Sequence, residues 1–399
     1  MGLRITHLSF SSSGGAGTVA QRLAATQNSL GHSAHLVSLL SSTLKKQPLR
    51  SPKHTLAASV DEYVVKQSTF HSSISLYREG LHESIKAATR EADVLHLHWP
   101  HGVVDWQELV SSTRQAVVWT LHDMRAFTGA CHYSLDCEGY RTGCANCPAV
   151  RAPWASKVSS QFTSQDLTMK AMGSRLQFVS PSIWLAQMAK SSRLLANHPV
   201  AVIPNPLPHD VGPSEDIHLE TFSQLPESAS VFVAAAADIS DPVKDIALAV
   251  DAFSEAVGQD DDTWLFIAGA GNHSVHPHPR VCYLGHLTPN QMASLLARAN
   301  YLVVPSRAEN QPLLISEAQS HGVSILVRDA TGLPEHTDID PGAKTFRSLS
   351  DLRQLIADRA EAMPSERSRN SLAKAARQKF DPVTSASRYL EIYSRALGQ

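Results

Sequence analysis

The chain has 399 residues, 43% of them hydrophobic and 18% charged, with a formal net charge of -2. That is enough apolar material for two domains of ordinary size, and neither the charge nor any basic stripe interleaved with aromatics supports nucleic-acid binding as a main function. No apolar run approaches the roughly 18 residues needed to cross a bilayer, and the first ten residues lack the apolar core of a signal peptide, so the expectation is a cytoplasmic protein.

Taken in chain order, strand and helix signals alternate. Arg4 to Phe10 reads as a first strand, Ser11 to Gly17 as a small-residue loop, and Thr18 to Leu30 as a helix through Val19, Leu23 and Leu30. Met1-Gly2 with Thr6 fits the loose myristoylation pattern, but a segment that starts a core strand is no free tail, and the match is treated as accidental. Gly14-Gly-Ala-Gly17 is not a GxGxxG fingerprint and serves equally as a tight turn. Glycines at a helix start do, however, let a backbone approach phosphate closely. Further strands are expected over Ala34 to Leu40, Val94 to His98, Ala116 to Leu121, Leu176 to Ser180 and Val200 to Ile203. Strands separated in this way imply a parallel sheet. Lys45, Lys46, Arg50 and Lys53 form a basic run that is either a solvated loop or a contact for anionic lipid or a polyprenyl diphosphate, which would place the protein peripherally at the inner membrane face.

Two strand ends carry side chains capable of chemistry. His96-Leu-His-Trp-Pro-His101 puts His96 and His98 on one strand face, open to metal binding or, for His98 and Trp99, to lining a cleft. Trp119-Thr-Leu-His-Asp123 ends in a His–Asp pair, which by itself is as well explained by capping as by catalysis. Four of the five cysteines follow within residues 129–148, as Cys131-x5-Cys137-x6-Cys144-x2-Cys147. The last pair has zinc half-site spacing and the first is wider, leaving structural zinc, disulfides and free thiols all open.

The proline-rich stretch from Pro204 to Pro213 cannot be helix or central strand and marks a boundary. Beyond it the plan repeats, with strands expected over Val231 to Ala235, Thr263 to Ala268, Arg280 to Leu284, Tyr301 to Val304 and Ser324 to Val327, and a helix over Val243 to Val257. His273, His276 and His278 read as solvated loop residues and Cys282 as a buried apolar one. Glu309 and Glu317 stand eight positions apart, the first in the loop after a strand and the second on the next helix. Ligands bind open parallel sheets at such strand ends, where helix N-termini attract phosphate and carboxylates accept hydrogen bonds from sugar hydroxyls.

The run Val303-Val-Pro-Ser-Arg-Ala-Glu-Asn-Gln-Pro312 through Glu317-Ala-Gln-Ser-His-Gly322, then Thr331-Gly-Leu-Pro-Glu335, resembles the donor-site signature of glycosyltransferase family 4. The resemblance extends to the Gly14–Gly17 segment, the His122 strand end, Lys244, and the glycine-ended strands Phe266 to Gly271 and Tyr283 to Leu287. It implies a GT-B fold: α/β, two Rossmann-like doubly wound domains facing a cleft. On that basis the domains are 1–204 on the acceptor side, 205–378 on the donor side, and 379–399 as a helix crossing back to the first. It implies a retaining transfer of sugar from a nucleotide-diphosphate donor to the hydroxyl of a glycan or lipid-linked acceptor, in polysaccharide or glycolipid assembly. Front-face attack, with the donor phosphate accepting the proton, needs neither a protein nucleophile nor a catalytic metal.

By the same resemblance His122 and Glu309 would contact the transferred sugar, and Lys244 would neutralise the departing diphosphate. Glu317 would hold the ribose, and Gly15, Gly17, Asn310 and Gln311 would line the donor site. Cys131, Cys137, Cys144 and Cys147 are candidates for a structural zinc that shapes the acceptor side. Three positions depart from the family pattern. The usual arginine before Lys244 is missing, Asp245 replaces the glycine that follows it, and Ser324 stands where proline is usual. Arg307 is the candidate replacement for the missing cation. The missing arginine and Asp245 keep a second reading open, a GT-B protein that binds a nucleotide sugar or glycan without transferring it. A third is a GT-B sugar-nucleotide epimerase.

Overall fold

The computed structural model describes residues 2–38, 73–76, 83–100, 106–209, 225–259, 261–271, 278–360 and 363–398. The basic run Lys45, Lys46, Arg50 and Lys53 lies outside the described residues, as do His101, His273 and His276. Two compact units form, Met1–Pro206 with Pro382–Gln399, and Leu207–Asp381.

The first unit runs β1 (Arg4–Ser9), α1 (Gly14–Ser29), β2 (Ser33–Ser38), α2 (Glu83–Arg90), β3 (Val94–Trp99), α3 (Trp106–Ser112), β4 (Ala116–Thr120), α4 (Ala152–Met172), β5 (Leu176–Ser180), α5 (Ile183–Ser191) and β6 (Val200–Val202). The C-terminal helix Pro382–Ala396 completes it, with Tyr389, Ile392 and Tyr393 buried. The sheet is parallel, in the order β2-β1-β3-β4-β5-β6. Its central strands are buried on both faces, which is why Ala116-Val-Val-Trp-Thr120 reads as a continuous apolar run. Because the chain reverses its direction of travel across the sheet after β2, β1 and β3 flank a topological switch point.

The second unit runs β7 (Ser230–Asp238), α6 (Ile246–Ala256), β8 (Thr263–Ala270), β9 (Val281–Gly285), α7 (Pro289–Arg298), β10 (Tyr301–Val304), α8 (Leu313–Ser320), β11 (Ser324–Arg328), β12 (Lys344–Phe346), α9 (Leu349–Ala360) and α10 (Glu366–Lys379). Its parallel order is β12-β11-β10-β7-β8-β9, with the switch between β7 and β10. Alternation sorts the strand side chains into two cores. Phe232, Leu265, Tyr301 and Leu326 pack on one face, and Val233, Phe266, Leu302 and Ile325 on the other.

Two doubly wound six-stranded parallel sheets are the GT-B fold, as the sequence implied. Three local readings are corrected. The first helix starts at Gly14 rather than Thr18, so the glycine cluster is its first turn and not a preceding loop. A side chain at Gly17 would come within 2.2 Å of the Ser11 carbonyl oxygen, so that glycine is fixed by packing of the helix start on its own loop. β7 continues three residues past Ala235, and the short β12 went unanticipated.

Candidate functional site

In the second unit, the loops leaving β7 and β10 meet at the switch point. The β7 loop is turned by Asp241, whose carboxylate accepts from the Val243 amide at 2.8 Å while its carbonyl accepts from the Lys244 amide at 2.9 Å. The Arg307 amide donates to the Val243 carbonyl at 2.8 Å, stitching the two loops together. Lys244 Nζ then forms an ion pair with the Glu309 carboxylate, with 31% of the lysine side chain and 13% of the glutamate side chain exposed. Asp245 holds a left-handed backbone, φ 52° and ψ 38°. That conformation explains why glycine is the pattern's usual residue here. The aspartate side chain accepts from Arg307 Nε at 3.0 Å and from Arg328 Nη2 at 2.9 Å.

Glu309 is held from behind by the turn after β11. Thr331 Oγ1 accepts from the Glu309 amide at 2.9 Å and donates to its carbonyl at 2.7 Å, and the Gly332 amide donates to the same carbonyl at 3.0 Å. A side chain at Gly332 would meet the Asn310 carbonyl oxygen at 2.3 Å, so the Thr-Gly pair is a backbone brace. Asn310 and Gln311 are buried, and Glu317 lies partly buried on α8, whose first turn has no side-chain cap. Beside this cluster a groove of about 440 Å³ is lined by Asp245, Arg307, Arg328, Asp329 and Arg347, among others.

In the first unit the corresponding strand ends carry imidazoles. His7 on β1 pairs in register with His96 on β3, and His98 lies two residues farther along the same face. His7 Nδ1 lies 2.9 Å from His98 Nε2, and His98 Nδ1 lies 3.1 Å from His122 Nε2. Gln27 Oε1 is 2.8 Å from His7 Nε2, and Gln27 Nε2 donates to the Tyr393 hydroxyl at 3.0 Å. His96 is held at both nitrogens, by the Tyr393 hydroxyl at 2.7 Å and Thr120 Oγ1 at 2.8 Å. Burial pushes His7 and His122 down to about 4, and His96 and His98 well below the usual imidazole range. The rings are therefore neutral at physiological pH.

Asp123 serves as an anchor. Its carboxylate accepts from the Arg125 amide at 2.8 Å and the Trp99 indole at 2.9 Å, and pairs with His132 Nδ1 at 2.6 Å. His132 Nε2 reaches Ser75 Oγ at 2.9 Å, so the cysteine-rich loop is tied to the strand ends through this carboxylate. Cys131, Cys137, Cys144 and Cys147 are free thiols that together line one cavity of about 20 Å³. The Gly129 amide lies 3.3 Å from Cys144 Sγ and the Gly139 amide 3.4 Å from Cys137 Sγ. Burial pushes Cys131 up to about 12 and Cys144 to about 11. Among the described residues, the set of such side chains with three ligand atoms within 4.8 Å of one another is His7, His96 and His98.

The structure thus brings Lys244, Arg307 and Glu309 together in the second unit, and places His122 in the first at the end of a histidine chain. Gly15 is exposed with open space around it, whereas Gly17 is packed. His98, read as a cleft-lining side chain, is only 1% exposed. Sequence reasoning missed His7, Gln27 and Tyr393. The signal for His7 was its place on β1, beside the strand whose alternate residues are His96 and His98.

Residues 229–357 match the family model described as glycosyl transferases group 1. Over 106 residues the chain is 33% identical to WcaC of Escherichia coli K12, whose name assigns it provisionally as a colanic acid biosynthesis glycosyl transferase. The chain spans 26% of that relative's length, and the stretch is 25% of the chain itself. Among solved structures, sucrose-phosphate synthase from Thermosynechococcus elongatus is similar with a TM-score of 0.66 at 14% identity, over 99% of both chains. Anabaena HepE, solved with UDP-glucose, is similar with a TM-score of 0.61 at 14% identity, over 98% of both chains. The catalytic domain of Arabidopsis thaliana starch synthase IV, bound to ADP and acarbose, is similar with a TM-score of 0.63 at 14% identity, over 100% of both. At these identities the likeness is one of fold.

Proposed function

We propose that this chain is a retaining glycosyltransferase of family 4 that moves a sugar from a nucleotide-diphosphate donor to an acceptor hydroxyl, in polysaccharide or glycolipid assembly. The observation that carries the reading is the cation cluster at the second unit's switch point, Lys244 with Arg307 and Arg328, inside the stretch that matches group 1 glycosyl transferases. A diphosphate entering there would compete with Glu309 for the Lys244 ammonium. Exchange of partners would give the phosphate its counter-charge and release the Glu309 carboxylate to accept hydrogen bonds from sugar hydroxyls. The charge that builds on the leaving diphosphate would meet a cation already in place. The Asp245 bridge fixes the Arg307 and Arg328 guanidinium groups, and Arg307 is assigned as the cation that replaces the missing arginine.

The reading further assigns Glu317 to the ribose, Asn310, Gln311, Gly15 and Gly17 to donor contacts, and His122 to the transferred sugar. Retention is assigned to front-face attack, with the donor phosphate taking the acceptor proton. The test is calorimetry or thermal shift of the full chain against UDP, GDP, ADP, CMP and dTDP sugars, followed by NMR of the product anomer. A silent panel, or an inverted product, would sink it. One observation favours a non-transferring binding protein: Asp245 neutralises part of the cluster that would stabilise the charge building on a departing diphosphate. Binding without turnover for any acceptor decides for that alternative.

The four thiols are proposed to hold a structural zinc. The cavity they line, and the amides directed at Cys137 and Cys144, suit thiolates on a dication, which would reverse the upward push on Cys131 and Cys144. Metal analysis of untagged protein should find one zinc per chain, and its absence with four titratable thiols rejects the site.

A further inference from the structure

We infer that Gln27, His7 and His98 are positioning residues that decide which nitrogen of His122 carries its proton. The three side chains and His122 form one line of hydrogen bonds. Contact distances along it are 2.8, 2.9 and 3.1 Å. A line of neutral imidazoles has a direction, because each ring donates from one nitrogen and accepts at the other. Gln27 sets that direction here. Its amide nitrogen is committed to the Tyr393 hydroxyl, so its oxygen faces His7 and can only accept.

The assignments follow one from another. His7 carries its proton on Nε2 to donate to Gln27, which leaves Nδ1 as an acceptor. His98 therefore donates from Nε2 to His7 and accepts at Nδ1. His122 donates from Nε2 to His98, and its Nδ1 is left as the accepting nitrogen. Burial keeps all of these rings neutral, so one tautomer can persist rather than average away. The second buried line, Tyr393 to His96 to Thr120 to Tyr389, branches from the same amide.

The same geometry argues against a metal at His7, His96 and His98, despite their closeness. Every ring nitrogen of these three already has a hydrogen-bond partner, and the set contains no carboxylate or thiolate to offset a buried double charge. Seating an ion would break several of these bonds. In the proposed function, on which this consequence rests, the fixed tautomer decides whether His122 Nδ1 meets its partners as an acceptor or as a donor.

The experiment is long-range ¹H–¹⁵N NMR of imidazole-labelled full-length protein without substrate, with His122 assigned through His122→Gln. The expected result is a neutral His122 protonated on Nε2. In His7→Leu that tautomer should give way to a mixture, while His7→Asn, whose side-chain oxygen replaces the Nδ1 lone pair, should restore it. Should His7→Leu fail to fold, Gln27→Met removes the direction-setting amide and is expected to give the same mixture. A wild-type His122 protonated on Nδ1, or an Nε2 tautomer unchanged in a folded His7→Leu or Gln27→Met, overturns the inference. The readout needs no donor, so a chain that binds no nucleotide sugar fails the functional proposal without touching this one.

Discussion

The two units place opposite kinds of polar chemistry at equivalent strand ends. In the first, four imidazoles are uncharged, three of them linked ring to ring by hydrogen bonds and the fourth, His96, held by the Tyr393 and Thr120 hydroxyls. In the second, lysine, arginines and carboxylates are paired but partly exposed. The difference teaches what each can give a ligand. Neutral buried dipoles cannot leave their places and so supply geometry, whereas an exposed ion pair can exchange one partner for another and so supply charge.

The comparison is broken most directly by removing a charge. Lys244→Ala should lower kcat by about 10²- to 10³-fold in a donor-transfer assay, the range typical for loss of one transition-state electrostatic partner, while the melting temperature stays within a few degrees. A large loss of stability instead would make Lys244 a structural residue. The converse holds for His96→Leu. It removes one hydrogen-bond partner from each of the Tyr393 and Thr120 hydroxyls, which keep Gln27 and Tyr389, and should cost about 1–3 kcal/mol in urea unfolding of the first unit. A neutral outcome would mean the imidazole network contributes no rigidity.

Acid sharpens the contrast further. His7 and His122 titrate near 4 when folded and near 6.5 when unfolded. Below about 6.5 the unfolded chain takes up protons that the folded one refuses. The stability tied to the neutral rings is complete above that pH and is lost as pH falls toward 4, at roughly 1.4 kcal/mol per unit for each ring. His336 in the second unit is also pushed down to about 4 and adds to the same trend. Urea midpoints at pH 7.5, 6 and 5 check it, and a flat profile would contradict the buried, neutral state.

The smallest effect is expected from Asp245→Gly. Glycine relieves the left-handed backbone but releases Arg307 and Arg328, so stability should move by less than about 1 kcal/mol. Nucleotide-sugar affinity should rise a few-fold as the guanidinium groups are freed, and a fall would show that the aspartate bridge positions them for the anion.

Much of this was legible in the sequence. Buried parallel strands announce themselves as apolar, β-branched runs, and Leu176–Ser180 and Tyr301–Val304 were placed to the residue. Lys244 and Glu309 were named from motif and came together as a pair. Harder to read was anything set by tertiary approach. The close approach of Gly17 to the Ser11 carbonyl shows only in the fold, while Gln27 and Tyr393 stand 366 positions apart and no local pattern links them. Lys344–Phe346 is three residues long, too short to show a period.

The Tyr393 hydroxyl that orients Gln27 and His96 belongs to the last helix of the chain, yet it completes the unit that begins with the first strand. During synthesis the imidazoles of the first two hundred residues therefore lack a final partner while the uninterrupted second unit is made, and they gain it only once the helix after Asp381 has followed. Nascent chains stalled before residue 382 should yield a protease-resistant second unit and a loose first one.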